Sequence, residues 1–340
     1  MEFSAGKSSF SIRALAVTLL LLAGCDRGAE TVNDGSKPSP PAVVRIGYFA
    51  NLTHAQAVLG VSSGEFAQAI APVKLEAKPP FNAGPALMEA LSAGVIDVGY
   101  VGPGPVLASH DKSKGEAVRV ISGAAANGVL IVAGKDSGIT TLAQLKGRKI
   151  ATPQHGNTQD IAARHYVTKV LGQTDHSNVI AVPNAEQAAM MQRGQIDVAW
   201  VPEPWGARLV ADAGATIVGE EKDLWPGKQF SLTVVVTTPE FLKAHPDIIE
   251  KLLTVHRRWT VRLNTEGEKY LPALGDALYG LTQKKLPTDV FQAAFKRVVF
   301  TDDPLPATFT EMGNWTAELG FSRPLSRTDL LFATPSAPTK

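Results

Sequence analysis

Gly94-Val95-Ile96-Asp97-Val98-Gly99-Tyr100-Val101 returns one hundred positions later as Gly194-Gln195-Ile196-Asp197-Val198-Ala199-Trp200-Val201. Each copy follows a helix-like stretch and runs into a proline-rich turn, Gly102-Pro103-Gly104-Pro105 in the first and Pro202-Glu203-Pro204-Trp205 in the second. An echo at this spacing implies two lobes built on one α/β plan. Matching loops at the ends of matching strands imply a cleft between the lobes.

Outward from the repeat, short apolar runs alternate with amphipathic stretches. Strands are expected at 43–49, 73–77, 96–101, 128–133, 149–152, 179–182, 196–201 and 230–237, each rich in β-branched or aromatic residues. Helices are expected at 84–93, from Gly156 to about Leu171 with Gly172 as C-cap, at 185–192, and from Pro246 onward with Ile248, Leu252, Val255 and Trp259 as its buried stripe. Such alternation predicts a mostly parallel sheet in each lobe. The lobes divide as 42–124 plus 232–335 (lobe I) and 125–231 (lobe II).

The amino terminus reads as an export signal. Lys7 and Arg13 form a positive region, and Ala14 to Leu22 form an apolar run about half the ~20 residues of a membrane span. Leu22-Ala23-Gly24-Cys25 resembles the lipobox of bacterial lipoproteins, which implies a signal peptide at 1–24, lipidation of Cys25, and anchoring on the periplasmic side of the cell membrane. Residues 25–41 are rich in turn formers and read as a flexible tether reaching roughly 50 Å. As Cys25 is the only cysteine of the chain, lipidation leaves no thiolate nucleophile, disulfide or Cys-based metal site.

Of 340 residues, 33 are basic and 32 acidic; removal of Lys7, Arg13 and Glu2 leaves 31 of each sign. A neutral chain without a Lys/Arg run has no footprint for nucleic acid. The histidines (54, 110, 155, 165, 176, 245, 256) show no tight ligand spacing, so neither a metal nor a cofactor is expected. No P-loop, Gly-x-Ser-x-Gly elbow or His-Glu-x-x-His occurs, so no enzyme activity is expected.

Ligands of open α/β sheets sit beyond strand carboxyl ends, where helices begin. Four such points stand out: Asn51–Thr53 and Gly102–Pro105 in one lobe, Gly156–Gln159 and Pro202–Trp205 in the other. A helix start offers unpaired N–H groups and a positive dipole end, which suit an anion. The same residues also suit ordinary turns, where Gly, Pro and Asn serve backbone geometry.

Arg45-Ile46-Gly47-Tyr48, Lys149-Ile150-Ala151-Thr152-Pro153, Gly156-Asn157-Thr158 and Trp200-Val201-Pro202-Glu203-Pro204-Trp205 are together similar to periplasmic substrate-binding proteins of the sulfonate/taurine/nitrate type of ABC importers. The resemblance covers roughly residues 43–260. It implies a two-lobed periplasmic binding protein fold (type II) with a two-strand hinge. It also implies a monomer that docks on a permease with its cytoplasmic ATPase. By that resemblance Asn51 and Thr53, helped by Gly102, Pro103 and Gly104, hold the anion from lobe I, and Gly156, Asn157 and Thr158 from lobe II. Trp205 packs on the alkyl part. Glu203 accepts an amino group or, alternatively, serves a helix start; Asn127 is a further candidate. His54 and His155 flank two of the turns, where they either face the cleft or, as the preferred reading, sit solvated in their loops. The expected ligand is an aliphatic sulfonate such as taurine or an alkanesulfonate, with nitrate, a phosphonate or a pyrimidine-type ligand as alternatives on the same fold and an exported metal-binding lipoprotein or enzyme as the competing class.

Overall fold

Gly94 and Gly194 stop the helices Gly84–Ser92 and Asn184–Gln192 in the same way in the computed structural model, which describes residues 39–333. Both glycines take a left-handed φ (66° and 65°), which costs them no Cβ clash. In each case the glycine N–H reaches back to one helix carbonyl (Leu91, Met191) and the next N–H to another (Ala90, Met190), at 2.8–3.1 Å. The aspartate of each repeat then fastens the neighbouring strand. Asp97 Oδ2 accepts from Arg45 N–H at 2.7 Å, and Asp197 Oδ2 from Lys149 N–H at 2.8 Å. The expected signal peptide (1–24), Cys25 and most of the tether (25–41) lie outside the described residues.

The strands in chain order are β1 (Val43–Gly47), β2 (Lys74–Ala77), β3 (Val98–Val101), β4 (Arg119–Asn127), β5 (Val129–Ala133), β6 (Ile150–Thr152), β7 (Val179–Ala181), β8 (Val198–Pro202), β9 (Thr216–Glu220), β10 (Ser231–Thr237) and β11 (Val298–Phe300). The helices are α1 (Ala55–Ser62), α2 (Glu65–Ile70), α3 (Gly84–Ser92), α4 (Pro103–Lys112), α5 (Thr158–His165), α6 (Asn184–Gln192), α7 (Trp205–Ala213), α8 (Pro239–Ala244), α9 (Pro246–Thr282), α10 (Thr288–Phe295) and α11 (Pro306–Glu318). They form two sheets with helices packed on them, ordered β11-β4-β10-β3-β1-β2 and β7-β6-β8-β5-β9. The two repeat strands, β3 and β8, each lie inside their sheet.

The α/β class stands, and in each sheet most strands run one way, with antiparallel strands inserted among them. β1 pairs parallel with β2 and β3, and β6 with β7 and β8. β10 runs antiparallel to β3 and β4, and β5 to β8 and β9. β5 and β10 are the strands next to the crossings, where the chain leaves one sheet and returns from the other; β11 also runs antiparallel, to β4. The first crossing lies at Asn127–Gly128, not at the 124/125 boundary, because β4 stays in its sheet through Asn127. Asn127 and Gly128 have φ of 61° and 74°, turning the chain sharply. The Asn127 side chain accepts from Phe230 N–H (3.3 Å) and donates to the Lys228 carbonyl (3.4 Å), tying the first crossing to the second.

Helix α9 packs along α1 and α2 and buries Ile248, Leu252, Val255 and Trp259 in the core they share with the larger sheet, each at most 4% exposed. Burial of such side chains contributes roughly 1.5–3 kcal/mol apiece. Among the described residues no helix is long and apolar enough to cross a membrane.

The aromatic residue of each repeat finds a polar partner. The Tyr100 hydroxyl lies 2.9 Å from His256 Nδ1. Trp200 Nε1 donates to Glu221 Oε2 at 2.7 Å, and Trp225 Nε1 donates to the other carboxyl oxygen at 3.1 Å. Burial pushes the Glu221 carboxyl from 4.5 up to about 7, the two indole donors opposing the rise only in part. The folded protein therefore holds this proton more tightly than the unfolded chain. Stability from this group is full below about pH 4.5 and falls as pH rises through about 7. In Glu221→Gln the pH 5 to pH 8 loss, measured by denaturant titration, should shrink by on the order of 3 kcal/mol. Equal pH slopes in the two proteins would refute this assignment.

Candidate functional site

Helix α5 opens on Gly156-Asn157-Thr158-Gln159, and the local chemistry explains where it starts. Asn157 Oδ1 accepts from Asp160 N–H at 2.8 Å, the side-chain cap that a helix start favours. Gly156 takes φ 75° in the preceding turn, and its N–H donates to Asp160 Oδ2 at 2.9 Å. Asp160 is fully buried and balanced by Arg164, whose Nε lies 2.9 Å from Oδ2. Arg164 in turn donates to the carbonyls of His176 and Val179. The result is a rigid helix start. The first-turn N–H groups of Thr158 and Gln159 have no acceptor among the described residues.

Lobe I faces this start with two loops. Thr158 Oγ1 accepts from Gly104 N–H at 3.2 Å, joining the α4 start to the α5 start. A Cβ on Gly102 would lie 2.3 Å from Thr158 Oγ1, and one on Gly104 would lie 2.7 Å from Ile161 Cδ1. Only glycines permit this approach. The second loop crosses at Asn51, whose Oδ1 accepts from Trp205 Nε1 at 2.7 Å, while Leu52 N–H donates to the Glu203 carbonyl at 3.1 Å.

Between these contacts lies a cavity of about 30 Å³, lined by Asn51, Thr53, His54, Asn157, Thr158, Gln159 and Thr233 among its polar residues. A water needs roughly 10–15 Å³ by the same measure, so the space is of the size of a few water-sized groups. No Lys, Arg, Asp or Glu lines it. His54 is wholly buried and drops to about 3, because burial disfavours its cation; its Nδ1 accepts from Phe49 N–H at 3.3 Å. The cavity wall is therefore neutral and rich in donors.

The expected site residues divide on this geometry. Asn51, Thr53, Gly102, Asn157 and Thr158 line the cavity. Gly104 forms the interlobe contact and, with Gly156, faces a broader outer groove. Helix α4 cannot serve as a donor cradle in this arrangement. Pro103 and Pro105 have no N–H, and that of Gly104 goes to Thr158. Asn51 makes no side-chain cap bond; its amide holds Trp205 instead.

Glu203 does not face the cavity. It is fully buried, with one oxygen 2.9 Å from Arg297 Nη1 and the other accepting from Ala207 N–H at 3.0 Å in the first turn of α7. Its carboxyl is raised chiefly by burial, against the pull of that N–H and of Arg297. Asn127 works at the crossing. His54 is an interior residue rather than a solvated one; His155 is exposed, 3.3 Å from Asp160. Gln159 closes the expected Gly156–Gln159 point, but Thr233 was not expected. Polar Ser231 and Thr233 inside the apolar run 230–237 are the signal that points to the latter. No group of three His, Cys, Asp or Glu able to hold a metal occurs among the described residues.

Comparison with known proteins bears on this geometry. A model of the NMT1-like family matches residues 37–270. A protein of Bacillus subtilis (strain 168), provisionally named an aliphatic sulfonates-binding protein, is 29% identical over 255 residues, 73% of this chain and 72% of that one. Among solved structures, the periplasmic aliphatic sulphonate binding protein SsuA from Escherichia coli superposes with a TM-score of 0.71 at 20% identity, covering 88% of this chain and 95% of that one. The periplasmic nitrate-binding protein NrtA from Synechocystis PCC 6803 reaches a TM-score of 0.71 at 15% identity, covering 87% and 85%. The fold is thus that of periplasmic binding proteins.

Proposed function

The chain belongs to the NMT1-like family, and from that premise we propose that it is the substrate-binding component of an ABC importer. In this reading it captures a small organic anion, first an aliphatic sulfonate, between its lobes. It then hands the anion to a permease driven by a cytoplasmic ATPase. The observation that carries the reading is the neutral, donor-lined cavity at the start of α5. With no carboxylate in the wall, a metal ion or ammonium group finds no counter-charge there. An anion finds hydroxyls, amides and a helix start.

The energies suffice. A helix start contributes roughly 0.3–1 kcal/mol, up to ~2 when partly buried, and each hydrogen bond to a charged oxygen ~1.5–3 kcal/mol. A few of each, less the cost of ordering, reach the ~8 kcal/mol of a micromolar complex. Both walls come from one chain, so a monomer is a complete binding unit. The names of the relatives, which specify sulfonates and nitrate, support an anion. The cavity's small size makes nitrate the second reading. Binding without turnover, export, and anchoring through Cys25 belong to the same proposal.

A thermal-shift panel of taurine, alkanesulfonates, nitrate, phosphonates and sugars tests it. A ligand at 100 times its Kd stabilises by about 2.7 kcal/mol, so a sulfonate at millimolar concentration should raise the melting temperature by several degrees while sugars leave it unchanged. A sugar response without any anion response contradicts the reading.

A further inference from the structure

The amide and imidazole side chains around the cavity are each oriented by a neighbour that offers a proton. Trp205 Nε1–H can only donate, so the Asn51 atom it meets at 2.7 Å is the amide oxygen, and Asn51 Nδ2 is left over. The Asp160 N–H fixes Asn157 in the same way, at 2.8 Å from Oδ1. Asn157 Nδ2 then donates to Gln159 Oε1 at 3.2 Å, which leaves Gln159 Nε2 over. At His54 the Phe49 N–H donates to Nδ1 at 3.3 Å, so the one proton of the neutral ring sits on Nε2. Burial, which takes this ring down to about 3, keeps it neutral.

What is left free gives protons. Asn51 Nδ2, His54 Nε2 and Gln159 Nε2, with the hydroxyls of Thr53 and Thr233, have no hydrogen-bond partner among the described residues. None of these five atoms is sealed in packed interior, although their residues are at most 6% exposed, and all five residues line the cavity. The amide oxygens of Asn51, Asn157 and Gln159 and the bare nitrogen of His54 are all taken. Only the threonine hydroxyls can take a proton as well as give one. A wall of this kind carries no charge, so it holds an anion through placed N–H and O–H groups. Each of them needs an acceptor opposite it.

We propose that His54 and Gln159 touch the ligand directly and that the cavity selects by proton count. It takes an oxyanion head whose oxygens are all bare, and it excludes a head of the same shape and charge that keeps an O–H. This rests on the anion-binding reading above. A sulfonate head presents three oxygens that only accept. A phosphonate monoanion presents two such oxygens and one P–O–H. Set against an imidazole or amide N–H, that O–H leaves two donors facing each other without an acceptor. One such mismatch costs roughly tenfold in affinity or more.

Ethanesulfonate and ethylphosphonate test this by calorimetric titration, at a pH below the second ionisation of the phosphonate. Both are then monoanions of one shape. The wild type should bind ethanesulfonate at least roughly tenfold more tightly than ethylphosphonate. Gln159→Glu puts a carboxylate oxygen in place of Nε2, and only the phosphonate has a proton to share with it. This variant should weaken ethanesulfonate binding and lower the ratio of the two affinities by at least roughly tenfold. His54→Phe, which keeps a ring and loses the Nε2 donor, should weaken ethanesulfonate binding by roughly tenfold while a melting curve shows a folded protein. Should His54→Phe not fold, the wild-type ratio and Gln159→Glu decide. Equal or tighter binding of ethylphosphonate by the wild type overturns the inference and leaves anion binding intact. So does an unchanged ratio in Gln159→Glu, or undiminished sulfonate affinity in folded His54→Phe. If neither ligand binds the wild type, the anion reading falls as well.

Discussion

Gly102→Val should weaken anion affinity by roughly 100-fold or more, about 2.7 kcal/mol, while each lobe keeps its fold. The backbone at Gly102 is ordinary, with φ −79° and ψ 157°, a conformation valine adopts readily. What requires glycine is the opposite lobe. An added Cβ would lie 2.3 Å from Thr158 Oγ1 and 3.3 Å from the Leu232 carbonyl, inside contact distance on two sides. Relief requires the Thr158 hydroxyl to turn away or α5 to shift, and either breaks the Gly104–Thr158 bond that joins the two walls. A ligand then meets one wall at a time. Calorimetry gives the affinity, and far-UV circular dichroism with a melting curve shows that the lobes are intact. Undiminished affinity in Gly102→Val would mean that closure at this contact is not part of binding.

Arg297→Ala should destabilise the protein by about 3–5 kcal/mol, because it strands the Glu203 carboxylate. Glu203 is fully buried, and Arg297 is the one cation its carboxylate meets among the ion pairs of the described residues. Alanine leaves Glu203 Oε2 its bond from Ala207 N–H and removes the partner of Oε1. Burial already raises the Glu203 carboxyl, and without Arg297 nothing but the α7 start favours its charged form. The linkage gives a sign. A further raised acid loses stability as pH rises, so the destabilisation should be smaller at pH 5 than at pH 8. Glu203→Gln/Arg297→Ala, which removes both charges, should recover part of the loss. A pH-independent change within about 0.5 kcal/mol, the range of ordinary surface substitutions, would exclude this pair as a structural tie between lobe II and the β11 region.

Much of the fold was legible because its signals are local. The Gly94 and Gly194 caps, the repeat strands, and the α5 start at Gly156-Asn157-Thr158 are read from residues a few positions apart. The direction of strands is not local. β10 runs antiparallel to β3 because the chain re-enters lobe I from the far side, and nothing within 230–237 encodes that. Segments such as β11, three residues long, carry too little pattern to stand out. The site shows the same division. Asn51, Thr53, Asn157 and Thr158 sit at turns that announce a ligand position. The role of Glu203 depends on Arg297, ninety-four residues away, and could not be separated from a ligand role by reading its neighbours. His54 looked like a loop residue because burial of a single polar side chain is decided by the packing of other elements.

The central claim is that an anion sits between Asn51, Thr53 and the α5 start. Its most direct test is calorimetric titration of ethanesulfonate into the wild type and into Asn157→Ala/Thr158→Val, with glucose as the neutral control. The account predicts one site per chain with micromolar affinity in the wild type, a loss of at least roughly tenfold in the double variant, and no heat from glucose. Glucose binding with no sulfonate response, or sulfonate binding untouched by the double variant, would contradict it.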